Sequence, residues 1–84
     1  MPELHRSARK HYHRDRLNDD AVRQAASHVL ASWPLDDEDD PRRWLLVGMD
    51  SAGRALELVA LTFDDGHEMI IHAMIARPEY LRDL

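Results

Sequence analysis

Apolar positions fall into two patterns along this chain. Before residue 34 they recur at helical spacing, and after residue 43 they fill three runs separated by short polar turns. Val22, Ala25, Ala26, Val29, Leu30 and Trp33 stand at i, i+3, i+4, i+7, i+8 and i+11, one stripe along a helix. Asn18 is a good N-cap, Asp19 and Asp20 lie where a helix dipole favours carboxylates, and Leu17 can staple onto Val22. Pro34 stops the element, so the spacing predicts a helix over about 18–32. Residues 3–16 are mostly polar, with Leu4, Ala8 and Tyr12 at i, i+4 and i+8, and predict a short first helix.

The second half reads as strands. The run 44–49 (WLLVGM), the turn 50–53 (DSAG), the run 54–63 (RALELVALTF), the turn 64–66 (DDG) and the run 67–76 (HEMIIHAMIA) predict an antiparallel meander. The middle strand has apolar residues on both faces: Leu56, Leu58 and Ala60 on one, Val59, Leu61 and Phe63 on the other. That suits a central position. Strict alternation along 67–76 groups Met69 with Ile71, Ala73 and Ile75, and Ile70 with His72 and Met74. Pro78 ends the strand and can open one terminal helical turn. The expected fold is therefore α+β: two N-terminal helices packed on a three-stranded antiparallel sheet, with a short C-terminal helical turn. One domain over 1–84 is expected, with a helical part at 1–33 and the sheet at 43–77.

Composition narrows the chemistry. The chain has no cysteine, which removes disulfides and cysteine-bound zinc. No leader-like apolar segment opens it and no run is long enough to span a membrane, so a cytoplasmic protein is the expectation. Net charge is −5, but it is divided. Residues 1–28 carry six Lys/Arg against four Asp/Glu, together with four of the six histidines; the remainder carries five against twelve. An acidic body argues against nucleic-acid binding by the whole surface, while a local basic groove stays open. The acidic run 36–41 (DDEDDP) reads as a solvated loop, since it has neither the central Gly nor the distant Glu of a calcium loop.

Few residues offer catalytic chemistry. His72 sits mid-strand among apolar neighbours, and histidine is the side chain best suited to move protons near neutrality. The plain alternative is a half-exposed, hydrogen-bonded strand histidine. Arg77, Tyr80 and Arg82 follow the strand; arginine's planar fork fits phosphate and tyrosine can stack on a base or donate a proton. They equally suit a solvated terminal turn. The run Arg9 to Arg16, with Lys10, His11 and His13, suits a phosphate backbone, an acidic partner or simply a solvated helix face. HEMIIH at 67–72 has one residue too many for the HExxH zinc motif and lies on a strand.

The segments GMDSAGRALELV (48–59) and IIHAMIARPEY (70–80), together with Lys10-His11 and the Asn18-Asp19-Asp20 helix start, resemble BrnT-like toxins. These belong to the RelE/ParE-type group of type II toxin–antitoxin systems, and the IHAM-x-x-RP-x-Y ending is similar to an actinobacterial branch. The resemblance spans roughly Ser7 to Tyr80. It implies a metal-independent mRNA endoribonuclease, with no cofactor, held inactive by an antitoxin. It implies His72, Arg77 and Tyr80 as catalytic residues, and Lys10, His11, Arg54 and Arg82 as contacts to RNA or partner. A homodimer through a sheet edge is compatible with it. The chain departs from the family pattern where His72 and Met74 replace the serine and arginine of an ISAR segment, in a longer link before the second helix, and in its acidity. A non-catalytic interaction module is the competing expectation.

Overall fold

The computed structural model describes residues 2–36 and 40–82. Strand β1 (Glu3–Leu4) leads into a 3-10 turn (Arg6–Arg9), α1 (Tyr12–Asp15) and α2 (Asp19–Ser27). Then come β2 (Val29–Pro34), β3 (Arg42–Met49), β4 (Ala55–Thr62), β5 (Glu68–Ile75) and α3 (Pro78–Leu81). The sheet order is β1-β5-β4-β3-β2; β1 runs parallel to β5 and every other neighbour is antiparallel.

The expected three-stranded meander under two N-terminal helices is not the fold. The sheet has five strands and is mixed, and the helices α1, α2 and α3 are all short. Helix α2 stops at Ser27, not near residue 32. Ala31 and Trp33 share one face, Leu30 is an extra residue where the register shifts, and the backbone from Val29 to Pro34 takes the ladder along β3. A β-branched and aromatic run gains more there than in two further helical turns. The expected first helix is broken into a 3-10 turn and a single turn of α1, which Arg16 ends with a left-handed backbone (φ 55°). Strand β1 has two residues, too few to show any period. Of the acidic run 36–41, residues 37–39 lie outside the described residues, as do the last two residues of the terminal turn.

Local signals that the sequence carried do operate. The Ala21 N–H donates to Asn18 Oδ1 at 2.8 Å, an N-cap worth about 1 kcal/mol. Gly53 and Gly66 supply positive φ in the two hairpin turns. The core forms where α2 and the N-terminal segment cover one sheet face: Ala8, Leu17, Ala21, Val22 and Ala25 meet Leu56, Leu58, Ala60, Ile70 and Ala73. Gly48 sets the approach of α2. A Cβ there would stand 2.0 Å from the Ala25 carbonyl oxygen, so no larger residue fits without moving the helix.

The N-terminal segment laces along the outer edge of β5. The His5 N–H bonds the Ile70 carbonyl (2.9 Å), Ser7 Oγ donates to the Ile71 carbonyl (2.7 Å), and Asp15 Oδ2 accepts from the Ile75 N–H (3.0 Å). These contacts bring His11 over that edge to the face of the sheet opposite α2, where its ring meets His72.

Candidate functional site

The site begins with a register slip. Val59 pairs with His72, but Ala60 pairs with Ile70, which leaves Ile71 as an extra residue in β5. The slip corrects the expected alternation. Ile70 joins Ala73 in the core under α2, and His72 lies opposite Val59 on the other face. Bulges of this kind re-aim side chains at functional sites.

Glu57 lies on the same face, opposite Met74 and therefore diagonal to His72. It is completely buried, at 0% exposure. Four donors reach its carboxylate. Oε1 accepts from the Arg77 backbone N–H (3.0 Å) and from Arg77 Nε (2.9 Å). Oε2 accepts from Arg77 Nη2 (3.0 Å) and meets His72 Nε2 at 3.1 Å. The extended backbone of Arg77, imposed by Pro78, aims that N–H inward. Burial opposes ionisation of Glu57, but the hydrogen bonds from Arg77 and His72 outweigh it and hold the carboxyl below its ordinary range. In return the carboxylate raises the pKa of the Arg77 guanidinium.

The partners of Glu57 remain partly open to solvent. The Arg77 side chain is 49% exposed and that of His72 is 28% exposed. Arg77 Nη2 also donates to the Tyr80 hydroxyl oxygen at 3.3 Å, and its guanidinium carbon lies 5.2 Å from the Tyr80 ring centre. His11 meets the His72 ring edge-on, with centroids 5.8 Å apart and planes at 79°. A cation, two imidazoles and a phenol thus converge on one surface around a buried anion.

The structure brings together four of the seven residues singled out in the sequence: His72, Arg77, Tyr80 and His11. Lys10 and Arg82 are exposed, next to His11 and near Tyr80 along the chain, and no contact ties either to the cluster. Arg54 is committed elsewhere. Its Nε donates to Asp50 at 2.8 Å, and its Nη1 donates to the Asp15 and Arg16 carbonyls, both at 3.1 Å. That geometry closes the β3–β4 turn and the end of α1. Glu57 is the residue that sequence reasoning missed. Its signal was a lone carboxylate inside the apolar run LELVAL of a central strand, a place where a charge survives only if paired.

Among the described residues, no group of three or more His, Asp or Glu is placed to hold a metal ion, and no helix is long and apolar enough to cross a membrane. No family model, curated protein or solved structure matches the chain.

Proposed function

We propose that this chain is the toxin of a type II toxin–antitoxin pair, a metal-independent endoribonuclease acting on mRNA and neutralised by a partner antitoxin. The observation that carries the reading is the convergence of His72, Arg77, Tyr80 and His11 on one surface around Glu57. Metal-independent RNA cleavage needs a base for the 2′-hydroxyl, a cation for the phosphoryl oxygens and an acid for the departing 5′-oxygen. The 2′-oxygen attacks phosphorus, the P–O5′ bond breaks, and a 2′,3′-cyclic phosphate and a 5′-hydroxyl result. His72 serves proton transfer. Arg77 spends Nε and Nη2 on Glu57 and Tyr80; its Nη1 has no hydrogen-bond partner among the described residues and is free to meet the phosphate. Tyr80 or His11 supplies the complementary proton or an RNA contact.

Induced expression in a bacterial host, with growth and mRNA integrity followed together, tests this. The wild type arrests growth and degrades mRNA, and His72→Ala and Arg77→Ala each relieve both effects. Full activity in both variants, or normal growth and intact mRNA with the wild-type protein soluble and abundant, overturns the proposal.

One observation favours a second reading, a non-catalytic binding module. Strand β2 ends the sheet, no segment among the described residues covers its outer edge, and Val29 (41%) and Leu30 (56%) are exposed. An uncovered, uncharged edge strand suits pairing with another chain, whether an antitoxin or a second copy. Intact RNA together with a stable complex through β2 would support it.

A further inference from the structure

We infer that Glu57 is the positioning residue of this site: it holds His72 with its proton on Nε2 and so makes Nδ1 the ring atom that exchanges protons. The consequence for catalysis rests on the RNA-cleaving reading above, whereas the placement of the proton is a property of the folded chain alone.

An ionised carboxylate has lone pairs and no hydrogen to give. Glu57 is buried and accepts three N–H bonds from Arg77, a setting in which the anion is the stable form. The atom facing its Oε2 at 3.1 Å is His72 Nε2, so that nitrogen is the donor. Placing the imidazole proton on Nδ1 would set the Nε2 lone pair against a carboxylate oxygen inside the protein. Neither carboxylate oxygen is free to turn away. Oε1 is held by two bonds from Arg77, and Oε2 by a third bond from Arg77 besides His72.

The other ring nitrogen is left open. Nδ1 of His72 has no hydrogen-bond partner among the described residues, and the side chain keeps 28% of its surface. Neutral His72 therefore presents a lone pair at Nδ1 and acts as the base. Tyr80 becomes the complementary acid. Its oxygen already accepts from Arg77 Nη2, so its own hydrogen is directed elsewhere and is free to be given. One rigid carboxylate thus fixes the base and the phosphate-binding cation in a single geometry, the kind of preorganisation that rate enhancement draws on.

The tautomer is read directly by long-range proton–nitrogen correlation spectra of the uniformly labelled wild-type chain across the range where imidazoles titrate. The expected result is a His72 Nε2 signal at its protonated position, with Nδ1 at its unprotonated position wherever the ring is neutral. A proton on Nδ1, or the averaged pair of signals of a free imidazole, overturns the inference. Glu57→Gln keeps the shape and removes the anion. It should release the mixture of tautomers and lower kcat on single-stranded RNA about 10²-fold with KM little changed. A folded Glu57→Gln chain with undiminished kcat also overturns it. If Glu57→Gln does not fold, the wild-type spectrum decides alone. Locked Nε2 in a chain that leaves RNA intact would sink the ribonuclease reading and spare this one; cleavage with the proton on Nδ1 would do the reverse.

Discussion

Two carboxylates are buried among the described residues, Asp50 at 6% exposure and Glu57 at 0%, and each is paired with an arginine. Their surroundings differ in one respect that matters. Asp50 is satisfied by its own turn: Oδ1 accepts from the Ala52 and Arg54 N–H groups at 3.0 and 2.8 Å, and Oδ2 from Arg54 Nε at 2.8 Å. All its donors lie within four residues. Glu57 draws its donors from His72 and Arg77, fifteen and twenty residues on. The local carboxylate closes a hairpin. The distant one gathers side chains that remain reachable from solvent. A buried charge becomes informative about function when its partners come from elsewhere and stay exposed.

Replacing Asp50 sharpens this contrast most strongly. Asp50→Ala removes a charged acceptor from three donors and leaves Arg54 without its anion. The loss should be about 2–3 kcal/mol, read as a lower urea midpoint, with cleavage per folded molecule unchanged. A fall in specific activity as large as that of His72→Ala would break the division between a structural and a functional carboxylate.

Acid offers a second, smaller probe. Burial works against ionisation at both sites, yet hydrogen bonds from Arg54 hold Asp50 below its ordinary 3.8, and those from Arg77 and His72 hold Glu57 below 4.5. A depressed folded-state pKa stabilises above the unfolded value, and that stabilisation is lost as pH falls through the folded value. Stability should therefore decline as pH falls below about 4.5. Asp15, bonded mainly by Arg14, and Asp19, bonded mainly by Arg9, are also held low and add to the decline. In Asp50→Ala the decline should be shallower. An unchanged slope in urea midpoint against pH would show that Asp50 is not held low in the folded state.

The same contrast explains what was legible in the chain. DSAGR announces a turn whose aspartate, glycine and arginine fall within five residues, and Asn18 announces a helix start three residues from the N–H it caps. Signals contained within a few residues survive translation into sequence. Strand β2 did not, because Val29, Leu30 and Trp33 fit a helical stripe, the register shift at Leu30 hides the alternation, and the deciding partner, β3, lies across a loop. The site was half legible. His72, Arg77 and Tyr80 were visible as residue types near one strand end. The bulge that turns His72, and the Glu57 carboxylate that joins it to Arg77, depend on pairing across β4 and β5.

The smallest expected effect on stability carries the largest consequence for the reading. Glu57→Leu deletes the buried anion and fills its space with apolar volume. Arg77 is half exposed and can rehydrate, and His72 keeps an open face. Removing one member of a buried ion pair is costly when it leaves a charge buried, and a half-exposed Arg77 escapes that cost while the Glu57 desolvation is spared. The urea midpoint at neutral pH should thus stay within about 1 kcal/mol of wild type or rise, and the share of the acid decline that belongs to Glu57 should vanish. Cleavage should be lost, because nothing then holds His72 and Arg77 together. A carboxylate retained only for folding would give the opposite pair of results: a large drop in stability, with activity preserved in whatever fraction remains folded.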